Sequence, residues 1–97
     1  MKKGYWMAMV TVTDPEIYKQ YIAANAAPFA KFGARFPVRA GAYTNPEGVT
    51  GNRHVVIEFD SYETALACYN SPEYQAALRY RLAASTGHFV IVEGAEA

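Results

Sequence analysis

RHVVIEFDSYETALACYNSPEYQAAL, residues 53–78, carries the signals on which the fold turns. Residues 53–59 are rich in β-branched and aromatic side chains and read as a strand. Asp60, with Glu63 three residues on, has the spacing of a capping box, so a helix is predicted from about Ser61. Pro72 interrupts that helix, and because the residue before a proline is pushed out of helical geometry, the break falls at Tyr69-Asn70. Ser71-Pro72-Glu73-Tyr74 then has the chemistry of a new start. It offers a capping hydroxyl, a proline suited to the first helical position and an acid for the positive end of the helix dipole. Asp14-Pro15-Glu16-Ile17-Tyr18 shows the same order at an earlier helix start. The segment around the single cysteine, Cys68, therefore reads as a joint. The functional alternative keeps Tyr69, Asn70 and Tyr74 as polar groups gathered where a ligand could touch freed backbone.

Working outward, GYWMAMVTVT (4–13) is an aromatic and β-branched first strand. The helix opened by Asp14 carries Ile17, Tyr18, Tyr21, Ile22, Phe29 and Phe32 at three-and-four spacing and ends at Gly33. Pro28 inside it predicts a kink near Ala24–Pro28. RFPVRAGAYT (35–44) is a weaker strand whose Pro37 and Gly41 point to an edge position or a bulge. NPEGVTGN forms the hairpin loop, and HFVIVEG (88–94) is the last strand. The order β-α-β-β-α-β is that of the α+β, ferredoxin-like topology, a four-stranded antiparallel sheet with two helices on one face, and residues 1–97 form one domain. Trp6, Ala8, Val10 and Val12 alternate with Tyr5, Met7, Met9 and Thr11, and Val90 and Val92 alternate with Phe89 and Ile91. Both faces of the strands are thus apolar, while two helices cover only one. A second copy of the same sheet is the economical cover for the other, which predicts a homodimer packed sheet to sheet.

Composition narrows the partners. Nine lysine and arginine residues balance nine aspartate and glutamate residues, so no net field recruits nucleic acid or anionic lipid. With 52% hydrophobic and 19% charged residues the chain is a globular one rather than a disordered one. MKKGYWMAMVTVTD has too short and too threonine-rich an apolar run for a signal peptide, and no stretch reaches membrane-spanning length. Together with a lone cysteine, which reads as a small buried hydrophobe, this gives the expectation of a soluble, cytoplasmic protein. Two histidines without metal-ligand spacing argue against a metal site, and no glycine-rich loop cradles a nucleotide, so no cofactor is expected. One histidine suffices as an axial haem ligand, which leaves haem as the remaining alternative. The same strand order serves RNA-recognition modules, but the third strand here lacks their stacking aromatics and basic motif.

Four further positions draw attention. His54 and Glu58, four apart on a strand, share one face at a separation of about 13 Å. They read either as a catalytic acid or base with its electrostatic neighbour, or as a strand-end histidine and the ion-pair partner of Arg35 or Arg39 in the dimer interface. Asn25 is an amide on an apolar helix stripe, and it either points into a cavity or caps carbonyls freed at Pro28. Trp6 either lines that cavity or belongs to the core.

VTDPEIYKQYIAANA, RHVVIEFDSYETALACYNSPEYQAAL and FVIVEG together resemble an uncharacterised family of small bacterial proteins, a domain of unknown function in the dimeric α+β barrel superfamily. The resemblance covers almost the whole chain and implies the fold and the dimer. The superfamily includes cofactor-free monooxygenases, muconolactone isomerases and haem enzymes, so membership does not fix a reaction. The expectation is a homodimer that binds a small, partly apolar organic molecule between helices and sheet. Trp6, Asn25, Arg39 and Tyr69 would contact it, and His54 and Glu58 would act in cofactor-independent acid–base or monooxygenase-type chemistry. The alternative is a non-enzymatic dimerising module whose polar residues are structural. A cavity of a few hundred Å3 would favour the first and a collapsed interface the second.

Overall fold

The structure, a computed structural model, describes residues 1–96. Its elements are β1 (Gly4–Val12), α1 (Pro15–Lys31), β2 (Arg35–Arg39), β3 (Arg53–Phe59), α2 (Tyr62–Asn70), α3 (Pro72–Ala84) and β4 (Ser85–Glu93). The strands form one antiparallel sheet in the order β2-β3-β1-β4, with the helical segments on one face. This is the ferredoxin-like α+β arrangement expected, with the second helix divided in two.

The joint lies at Ser71, which ends α2 and caps α3. Its Oγ accepts from the Tyr74 backbone N–H at 3.2 Å and donates to the Cys68 carbonyl at 2.7 Å. Asp14 caps α1 by accepting from the Ile17 backbone N–H. At the other end of α1, Gly33 adopts φ 71°, and the Ala34 and Gly33 N–H groups donate to the Phe29 and Ala30 carbonyls, the hydrogen-bonding pattern of a Schellman cap. The helix runs through Pro28 to Lys31 as one element.

Three boundaries differ from expectation. Ser61, not Asp60, caps α2, accepting from Thr64 N–H, and Glu63 takes no part in a capping box. Asp60 instead faces Arg35, 3.1 Å away, so a nearby guanidinium outcompetes the helix end for its carboxylate. β2 stops at Arg39 rather than residue 44, because Ala40 turns the chain at φ 56°. Its register slips between Arg35 and Val38, which places the expected bulge at Phe36-Pro37 on an edge strand. β4 starts at Ser85 rather than His88, directly after α3. Gly87 lies within the strand opposite Val10, where any Cβ would collide with the β1 backbone.

Trp6 sits at the centre of the core, its ring against Phe29, Phe59, Tyr74 and Phe89 and its indole N–H donated to the Ala65 carbonyl at 3.0 Å. The other sheet face has no cover among the described residues: Met7, Met9, Val38, Val90 and Val92 are all exposed there. No helix is long and apolar enough to cross a membrane.

Candidate functional site

Strand alternation divides the sequence-predicted residues between two sides of the sheet. Trp6, Arg53, Val55 and Ile57 face the helices, whereas Met9, which pairs with both His54 and His88, belongs to the open face along with Met7, Val56 and Glu58. His54 and Glu58 therefore cannot touch a molecule held between helices and sheet, and the expected grouping of all six residues in one site does not form. Trp6, Asn25 and Arg39 do come together, lining a cleft between α1, α3 and the sheet. Tyr69 does not line it. Its ring packs instead beside Tyr74 and Phe89, which makes it a wall of the core.

The open-face residues have structural partners. Glu58 accepts from Arg35 Nε at 2.8 Å and from the Tyr5 hydroxyl at 2.9 Å. Those two hydrogen bonds, Arg35 first, hold its carboxyl below the usual carboxylate range. His54 stacks against Tyr43 at 4.4 Å, and its Nε2 meets Thr50 Oγ1 at 2.8 Å. The Thr50 hydroxyl also donates to Asn45 Oδ1 at 2.7 Å. Around these residues the open face forms a groove of about 570 Å3, bordered by Met7, Met9, His54, Val56, His88 and Val90.

A carboxylate whose pKa is lower in the folded state stabilises the fold above its unfolded value, and that contribution is lost as pH falls through the folded value. Glu58→Gln is therefore expected to leave a shallower decline of stability below pH 4.5 than the unmodified chain shows, measured by urea unfolding across that range. An unchanged acid limb would show that the Arg35–Glu58 pair does not contribute to it.

The cleft on the helix side is built differently. Its walls are aromatic and include Trp6, Tyr18, Tyr21, Phe29, Phe36 and Phe89. Its polar groups are Asn25, Arg39, Arg53 and Arg81. Sequence reasoning passed over Arg53 and Arg81, although both carry a periodic signal. Arg53 shares its strand face with Val55, Ile57 and Phe59, and Arg81 continues the buried stripe of Tyr74, Ala77 and Leu78 on α3. The three guanidiniums lie over rings: Arg39 over Phe36 at 4.1 Å, Arg53 over Tyr18 at 5.1 Å, Arg81 over Phe89 at 4.9 Å. Among the described residues, none of the three has a carboxylate within 4 Å. Arg81 is only 8% exposed, and its Nε and that of Arg53 are buried without a hydrogen-bond partner. Asn25, 7% exposed, lines the same cleft.

The space within the cleft measures about 40 Å3, far below the few hundred Å3 set as the expectation for a substrate pocket. At ~10–15 Å3 per water, that is room for about three waters. The cleft opens past Ile22 and Arg39, both exposed. Deeper in, Tyr21 and Tyr74 share a hydrogen bond of 2.9 Å, and burial first, then the neighbouring phenol, raises the Tyr21 pKa. Burial pushes the Cys68 thiol up to about 12, with Glu73 adding to the effect, so Cys68 is the inert small hydrophobe expected of it.

Several solved structures share this architecture. The methylated RPA0582 protein superposes with a TM-score of 0.76 at 14% identity, over 97% of this chain and 82% of that one. SnoaB, described as a cofactor-independent oxygenase from Streptomyces nogalater, gives 0.67 at 16% identity over 100% and 97%. A dimeric ferredoxin-like protein of unknown function from Thermobifida fusca gives 0.63 at 20% identity over 98% and 92%. Identities this low establish the fold alone. No curated protein matches the chain in sequence. The family match spans residues 3–95, β1 through β4 with both faces of the sheet, and by it the chain belongs to the family described as Domain of unknown function (DUF1330).

Proposed function

We propose that the chain is a homodimer, packed through its open sheet face, and that its helix–sheet cleft binds a small, partly apolar organic molecule in support of cofactor-independent chemistry. One observation carries the cleft reading. The Nε atoms of Arg53 and Arg81 are buried in the wall of an aromatic cleft and have no hydrogen-bond partner among the described residues. Buried polar groups are ordinarily satisfied, and exceptions call for a partner that the chain itself does not supply. The likeness to an oxygenase described as cofactor-independent supports the chemical class. The exposed Met7, Met9, Val90 and Val92 support the dimer, as does the dimeric description of the Thermobifida fusca protein. His54 and Glu58 belong, in this reading, to the dimer face.

The small volume of about 40 Å3 favours a second reading, in which the fold is a dimerising module without a ligand. Native mass spectrometry of the purified protein separates the two. A dimer carrying extra small-molecule mass is expected. A bare dimer that binds nothing in subsequent ligand screens would favour the second reading, and a monomer would remove the sheet-to-sheet argument from both.

A further inference from the structure

We infer that the cleft takes a planar organic anion, a carboxylate attached to an unsaturated or aromatic body, with Arg81 and Arg53 as the groups that recognise it. The inference rests on the cleft-binding reading above and names the class of ligand.

The argument begins with charge. Three guanidiniums line one cavity, and no carboxylate among the described residues neutralises any of them. Arg39 stands at the exposed mouth, but Arg53 is half-buried and Arg81 buried; arginine keeps its proton when buried, so the cleft cannot relieve this by deprotonation, and burying a cation without a counter-charge is costly. Like charges sharing a low-dielectric site add to that cost. Stacking over Phe89, Tyr18 and Phe36 offsets part of it, but a guanidinium lying over a ring still needs partners for the N–H groups at its edge. The unpartnered Nε atoms of Arg53 and Arg81 are two such groups. An entering anion would supply the missing charge and the missing acceptors together.

Shape selects the anion. The guanidinium fork matches the two oxygens of a carboxylate, and the Asn25 amide adds a donor of the same reach. Room for about three waters is also room for the three heavy atoms of a carboxylate group. The body of the ligand would then extend toward the mouth between Ile22 and Phe36, where apolar contact is available. The cleft lining contains no histidine, aspartate or glutamate, so it holds no side-chain base that titrates near neutrality. What it offers instead is fixed positive charge, which stabilises an anion already on the ligand or developing on it.

The test uses benzoate and its neutral isostere benzamide as probes, titrated into the purified protein by calorimetry and followed by heteronuclear NMR at the Asn25 side-chain amide. Benzoate is expected to bind saturably and at least about tenfold more tightly than benzamide, with Asn25 shifting. Arg81→Gln should abolish that preference while thermal melting shows a folded protein. Arg53→Gln serves as the second variant should Arg81→Gln not fold. Equal binding of the two probes would overturn the anion inference while leaving the cleft reading intact. Failure of both probes to bind or to shift Asn25 would remove the cleft reading itself.

Discussion

Trp6→Ala is expected to lower unfolding stability by about 3–5 kcal/mol, the range for removing a fully buried large aromatic. The whole stability of a small domain is about 5–15 kcal/mol, so the substitution removes about a fifth or more of it and leaves a substantially unfolded population on heating. The magnitude follows from what Trp6 touches. It is 1% exposed, meets Phe29, Tyr69, Tyr74 and Phe89 edge-on, and ties β1 to α2 through its hydrogen bond to Ala65. Trp6→Phe keeps most of the packing and loses the indole donor, and about 1–2 kcal/mol is expected for it. Urea unfolding of the three proteins checks the ordering. A loss under 1 kcal/mol for Trp6→Ala, on the scale of ordinary surface changes, would show that the aromatic cluster is not the centre of the core.

Met7→Asp is expected to convert the proposed sheet-to-sheet dimer to a monomer without unfolding the protomer. Met7 is 44% exposed, lies outside the buried core, and pairs with Val56 on one side and Val90 on the other, which places it among the apolar residues of the open face. In a two-fold interface each substitution occurs twice, and each unpaired carboxylate costs several kcal/mol to desolvate. The combined cost is of the order of the affinity of a micromolar dimer, about 8 kcal/mol. Leu82→Asp, on the exposed side of α3, introduces the same charge on the far side of the molecule and should leave the dimer in place. Light scattering after gel filtration reads both variants. A Met7→Asp protein that remains dimeric would move the interface away from this face.

The sequence disclosed the strands and the joint because their signals are local. Period-two alternation marks β1 and β3, and cap, proline and acid mark the starts of α1 and α3. Boundaries set by distant contacts were not legible. Asp60 leaves the helix end for Arg35, and Gly87 joins β4 only because β1 approaches so closely. The candidate site was half legible for a more specific reason. Alternation shows that His54 and Glu58 oppose Arg53 and Val55, but when both faces of a sheet are apolar nothing local says which one the helices will cover. Asn25 was noticed as a polar residue on an apolar stripe. Arg81 met the same criterion on α3, its long side chain buried where the stripe predicts an apolar residue.

The pairing of β1 with both β3 and β4 has a consequence during synthesis. Of the four strands β1 leaves the ribosome before the others, yet each of its neighbours in the sheet is encoded later, β4 last of all. Until they emerge, an apolar, β-prone segment containing Trp6 has both backbone edges free, the condition under which nascent chains pair with the wrong neighbour. Folding can finish only when the last strand closes beside the first, so the rate of that closure, more than the stability of the finished sheet, sets how long the growing chain is exposed to aggregation.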